Sequence, residues 1–151
     1  MSQAATQVAV GLGCDRGTPL ATLQQALDEA LALAGARLAD VAAVASIDLK
    51  ADEPGLLALA VQHGWRMTFY TPQQLAAVPV PNPSETVRKY TGSPSVSEAA
   101  ALLSASTVAG HALKAAALLV EKHKHRGPDG RNATVSLARC DSFPLSSLLV
   151  S

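Results

Sequence analysis

The chain has 151 residues, of which 48% are hydrophobic and 16% charged, with twelve basic residues balancing twelve acidic ones. Such a composition fits one globular domain that buries a core and excludes a disordered chain. Balanced charge and 3% aromatic residues argue against a nucleic-acid partner, so any anionic ligand has to be met locally.

Val8 to Pro19, VAVGLGCDRGTP, reads as a buried strand entering a glycine-rich turn and then a helix. Val8, Ala9, Val10 and Leu12 suit a strand covered on both faces. Gly11, Gly13 and Gly17 permit a sharp bend and a close backbone approach. Thr18 is the expected N-cap and Pro19 the first helical residue. Backbone N–H groups, a helix N-terminus and Arg16 can then face an anion, or the loop is simply a tight strand-to-helix turn. Leu20, Leu23, Leu27, Ala30, Leu31 and Ala34 recur at helical spacing up to Gly35.

Within Asp40–Leu49, Val41, Val44 and Ile47 mark a second strand. Glu53-Pro54 opens a second helix with Leu56, Leu57, Leu59 and Ala60 as its apolar stripe and Gly64 at its end. Arg66–Tyr70 is a third strand, and Thr71 with Gln74 has capping-box spacing. Three strand-to-helix units in succession predict a parallel sheet with right-handed crossovers. Its helix-feeding strand ends gather Gly11–Gly17, Ser46–Glu53 and Thr71–Gln74 along one edge, where ligands of such sheets sit.

Val78–Ser84, with three prolines, reads as an extended connection. A short helix Glu85–Tyr90 and a turn Thr91-Gly92-Ser93-Pro94 follow. Ser95 and Glu98 repeat the capping-box spacing ahead of Ala99–Leu103, so this helix start serves either as a cap alone or as donors for a carboxylate. Thr107–Ala117 has no decisive pattern. Leu118–His125 and Ala133–Cys140 form an antiparallel hairpin joined by RGPDGRN. Alternation puts Leu118, Val120, Lys122 and Lys124 on one face, with Leu119, Glu121, His123 and His125 on the other. No third ligand is spaced to join His123 and His125, so no metal site is expected. The tail after Asp141 is expected to be loosely held. The fold expected is α/β: a single-domain, three-layer sandwich (1–151, core about 7–140). A largely parallel central sheet is flanked by helices and carries a C-terminal antiparallel hairpin.

Cys14 lies where a helix N-terminus lowers a thiol pKa, yet no histidine stands at a catalytic spacing, and a small buried turn residue is the alternative. Lys50 and Glu53 either pair with each other or leave Lys50 for a substrate carboxylate. No serine triad, phosphate-loop lysine or paired catalytic carboxylates stand out, and a nucleotide-binding reading lacks the full dinucleotide fingerprint. No apolar run reaches the ~18 residues of a spanning helix, and MSQAATQ lacks the regions of a signal peptide. Cys14 and Cys140 are too few for a disulfide framework, so free thiols in a reducing cytoplasm are expected.

Four blocks, GLGCDRGTP, ASIDLKADEPGL, YTGSPSVSEAAALL and LLVEKHK with ATVSLAR, occur in the order and spacing of one family. They resemble the C-terminal domain of the cobalamin-biosynthesis protein CbiG, here in its free-standing, CobE-type form. The resemblance implies a cytoplasmic role in corrin-ring synthesis by the aerobic route. The chain would bind a precorrin or hydrogenobyrinic-acid-type intermediate and assist its processing or transfer, alone or with other cobalamin-pathway enzymes, without a cofactor. The alternative it implies is a hydrolase acting on a precorrin lactone. Carried over by block, Gly11, Gly13, Cys14, Arg16 and Gly17 match the glycine-cysteine loop, and Ser46, Lys50 and Glu53 match the second block. Thr91, Gly92, Ser95, Ser97 and Glu98 match the third, and Lys122 the strand motif. Ser46, Lys50, Glu53 and Glu98 would be the groups to test for catalysis. Asp15 departs from the family's usual basic residue. A macrocycle fringed with acetates and propionates calls for a broad apolar cleft with separated donors at its rim.

Overall fold

A computed structural model describes residues 7–80 and 96–140. Five strands form one mixed sheet: β1 (Val8–Cys14), β2 (Val41–Ile47), β3 (Met67–Tyr70), β4 (Leu118–Arg126) and β5 (Asn132–Arg139), in the order β3-β2-β1-β5-β4. β1, β2 and β3 pair in parallel, whereas β5 runs antiparallel to both β1 and β4. The described helices are α1 (Leu20–Ala34), α2 (Pro54–His63), α3 (Pro72–Ala76) and α4 (Val96–Ala109). The expected connection beyond Val80, the helix Glu85–Tyr90, the turn Thr91-Gly92-Ser93-Pro94, Ser95 and the tail after Asp141 lie outside the described residues.

Alternation along β1 decides the layers. Val8, Val10 and Leu12 meet Leu23, Leu27 and Leu31 of α1 and Leu56 and Leu59 of α2. Ala9 faces the opposite way, toward Ala101, Leu102 and Ala105 of α4. Farther across that face, Ala45 and Ile47 of β2 pack on Ala99, Ala100 and Leu75. Helices therefore cover both faces of the sheet, the three-layer arrangement expected of strand-helix-strand units.

β1 continues through Cys14, so Gly11 and Gly13 are strand residues, not turn residues, and of the loop's three glycines only Gly17 has a positive φ, 81°. Gly11 does serve a close approach. A Cβ there would drive into the Ser97 carbonyl oxygen and lie 2.7 Å from the Ala101 nitrogen of α4. Helix and strand thus meet backbone to backbone, which is why α4 is rich in alanine and serine on its buried side.

Thr18 is not the cap of α1. Pro19 occupies that position, and the Thr18 hydroxyl instead donates to the Asp15 carbonyl at 2.7 Å. Both expected glycine stops are present, Gly35 at φ 67° and Gly64 at φ 70°. Each closes with paired N–H bonds back into its helix, Ala36 N–H to Leu31 O at 2.9 Å and Trp65 N–H to Ala60 O at 2.8 Å. On α2, Leu56, Leu59 and Ala60 are buried at i, i+3 and i+4, and Leu57, a step of about 100° around the helix, is 41% exposed. The Thr71–Gln74 capping box forms as spaced.

The face assignment of β4 needs correction. Val120 pairs with Leu137 and His123 with Val135, so Glu121 and Lys122 together oppose the single residue Ser136. That bulge reverses the alternation, and Val120 shares the α1 face with His123 and His125. Ser136 donates to the Glu121 carbonyl within the bulge and accepts from the Ser97 hydroxyl at 2.8 Å, satisfying groups that the interrupted ladder releases.

Candidate functional site

Parallel strands β1, β2 and β3 end at Cys14, Ile47 and Tyr70 on one edge of the sheet, and each leads into a loop before its helix. α4 begins at the same edge. Its first turns lie by Gly11 and Ile47, and its later turns by Ala9 and Cys140 near the far end. The edge therefore carries Gly13–Thr18, Ser46–Glu53, Thr71 and the Ser97–Glu98 helix start, four segments distant in sequence.

Inside this edge the glycine loop already holds an anion, and it belongs to the chain itself. Glu53 is 1% exposed, and its carboxylate accepts from the Gly17 N–H at 2.9 Å and from Arg16 Nη1 at 3.1 Å. Arg16 also reaches Asp52 Oδ1 at 2.8 Å and donates through Nη2 to the Leu49 carbonyl at 2.6 Å. Hydrogen bonding to Asp52 raises the Arg16 pKa, and the same bond lowers that of Asp52. Burying Glu53 is tolerable because a guanidinium and a backbone donor satisfy it. The sequence places Arg16, Gly17 and Glu53 at this edge; the structure adds that they bind one another.

Asp15 has a different duty. Its Oδ2 accepts from the Asn132 N–H at 2.8 Å and from Asn132 Nδ2 at 3.2 Å, and Arg131 Nε donates to the Arg16 carbonyl at 2.9 Å. The connector between β4 and β5 is thereby fastened to the glycine loop. Separations of 115 and 117 residues hide these contacts from any local reading.

Ser46 is fully buried and its hydroxyl donates to the Leu12 carbonyl at 2.7 Å, bracing β2 against β1. No face of that oxygen is open to a substrate. Burial pushes the Cys14 thiol up to about 11, with Glu53 adding to the rise and Lys50 opposing it, so the group is a neutral thiol near pH 7. This position is the opposite of the activated nucleophile a helix N-terminus would make. Ser97 and Glu98 are buried in the first turn of α4, and Lys122 is half-buried at the β4 bulge. Thr91, Gly92 and Ser95 lie outside the described residues. Lys50 differs from all of these. It is half-buried, sits between Leu49 and Asp52, and among the described residues no hydrogen bond or ion pair reaches its ammonium.

The hairpin histidines point elsewhere. His123 Nε2 lies 2.7 Å and His125 Nδ1 3.4 Å from Glu29 Oε1 of α1, while Gln25 donates to Glu29 Oε2 at 2.8 Å. Among the described residues no group of three or more His, Cys, Asp or Glu is arranged to hold a metal ion, and no helix is long and apolar enough to cross a membrane.

The family described as Cobalamin synthesis G C-terminus matches residues 8–138, the whole sheet from β1 to the end of β5. The chain belongs to this family. Membership places it in cobalamin biosynthesis, as the four sequence blocks implied. It is 37% identical over 123 residues to Protein CobE of Sinorhizobium sp, covering 80% of this chain and 75% of that one. The 1.7 Å crystal structure of CobE, a protein from the cobalamin (vitamin B12) biosynthetic pathway, is similar with a TM-score of 0.73 at 36% identity. That match covers 89% of this chain and 90% of the other. A cobalt-precorrin-5A hydrolase of Priestia megaterium is 43% identical over 96 residues, which cover 64% of this chain but only 26% of the hydrolase. The match therefore spans about a quarter of that relative.

Proposed function

We propose that this protein binds a precorrin- or hydrogenobyrinic-acid-type intermediate of the aerobic cobalamin route along the edge just described, and assists its processing or transfer. Lys50 carries the reading. At an edge where Arg16 is committed to Asp52, Glu53 and Leu49, it is a half-buried lysine whose ammonium has no hydrogen-bonding partner among the described residues. A ligand carboxylate supplies that partner, and the exposed apolar side chain of Leu49 beside it offers surface to a flat ring. A free thiol at Cys14 suits a cytoplasmic handler of this kind, passing its ligand to another pathway enzyme.

A second reading, hydrolysis of a precorrin lactone, rests on the identity with the hydrolase. Its candidates are Ser46, Lys50, Glu53 and Glu98. The geometry favours binding over that chemistry, because Ser46 and Glu53 are buried and already bonded. Titration of the protein with hydrogenobyrinic acid and earlier intermediates should shift their absorption spectra. Lys50→Ala should weaken binding roughly tenfold, the ~1.5 kcal/mol of one charge-assisted hydrogen bond. No shift with any intermediate overturns the proposal, and turnover of a lactone-bearing precorrin lost in Lys50→Ala or Glu53→Ala replaces it with the hydrolase.

A further inference from the structure

Arg16 stands on one side of the Lys50 turn and bonds to both of its ends. Nη2 takes the Leu49 carbonyl on the N-terminal side, and Nη1 takes Asp52 and Glu53 on the C-terminal side. Within the turn, Ala51 N–H donates to Asp48 O and Glu53 N–H to Lys50 O, both at 3.0 Å. These two bonds close the backbone locally. Arg16 and the Gly17 N–H on Glu53 add the side-chain ties that fasten the turn to the glycine loop after β1.

We infer that Arg16 is a positioning residue: its planar fork, anchored on buried Glu53, holds the Asp48–Glu53 turn so that the Lys50 ammonium faces the edge, and it makes no contact with the ligand itself. The inference rests on the ligand reading above. It reverses the role that a basic residue in a glycine loop suggests, because the guanidinium's nitrogens are directed to three acceptors of one turn. A lysine in its place neutralises Glu53 as a point charge but cannot span Leu49 and Glu53 together. Charge compensation and positioning are thereby separable.

Two measurements on Arg16→Lys test this. Without ligand, amide hydrogen exchange at Ala51 and Glu53 should quicken while the amides of the α2 interior keep their wild-type rates. Unchanged exchange at Ala51 and Glu53 overturns the latch. With hydrogenobyrinic acid, Arg16→Lys should lose affinity by the factor seen in Lys50→Ala, and the double variant should bind within roughly twofold of Lys50→Ala alone. An additive loss in the double variant means that Arg16 meets the ligand directly, and wild-type affinity in Arg16→Lys means that the turn needs no latch; either overturns the inference while leaving Lys50 as the recognition group. If the wild type itself binds no intermediate, the ligand reading fails, and the exchange data alone report on the latch.

Discussion

Replacing Gly11 by alanine puts one methyl group where α4 already is. The new Cβ would overlap the Ser97 carbonyl oxygen and sit 2.7 Å from the Ala101 nitrogen and 2.9 Å from the Ser97 carbonyl carbon. All three are backbone atoms of a helix, so no rotamer change relieves the contact. Relief requires lifting the first turns of α4 off β1, which loosens Ala99, Ala100 and Ala101, all fully buried. Overpacking a core usually costs about 1–3 kcal/mol, and a clash with rigid backbone belongs at the upper end, about 3 kcal/mol. For a chain of this size that lowers Tm by roughly 6–12 °C. Gly13→Ala is the matched control. Its Cβ meets nothing nearer than the Thr134 Cβ at 4.0 Å, so it should stay within about 0.5 kcal/mol of wild type. Thermal and urea unfolding of both variants measure the difference. Gly11→Ala unfolding together with the wild type would show that α4 does not meet β1 backbone to backbone.

Cys14 should resist alkylation at neutral pH. With its pKa near 11, about one thiol in a thousand is ionised at pH 8, so the rate should climb roughly tenfold per pH unit and level off only near pH 11. Peptide mapping by mass spectrometry follows the site, and a midpoint near the ordinary thiol value would contradict the burial assigned here. Glu29 should contribute pH-dependent stability. Hydrogen bonds from Gln25 and then His123 hold its carboxyl below the usual range, so the advantage over Glu29→Gln is full above about pH 4.3 and fades as the pH falls through the folded value. Urea midpoints of the two proteins from pH 6 downward give that difference, and a gap that ignores pH would rule out an ionised Glu29 as the source.

Much of the fold was legible because it follows from neighbours in the chain. Helical spacing from Leu20 to Ala34, glycine stops at Gly35 and Gly64, the Thr71–Gln74 box and the hairpin's turn-rich RGPDGRN connector are each decided within a few residues by backbone sterics and local hydrogen bonding. The gathering of loops at one edge followed from the strand-helix order. What tertiary structure alone decided is how the polar groups, at the edge and away from it, are spent. Glu53 takes Gly17 from 36 residues away, Ser46 takes Leu12 from 34, and His123 finds Glu29 from 94. A charge in a sequence has no address, because the Coulomb and hydrogen-bond energies that commit it depend on distances only the packed chain sets. The same holds for Gly11, whose missing side chain allowed either a bend or a close approach and proved to be room for a helix.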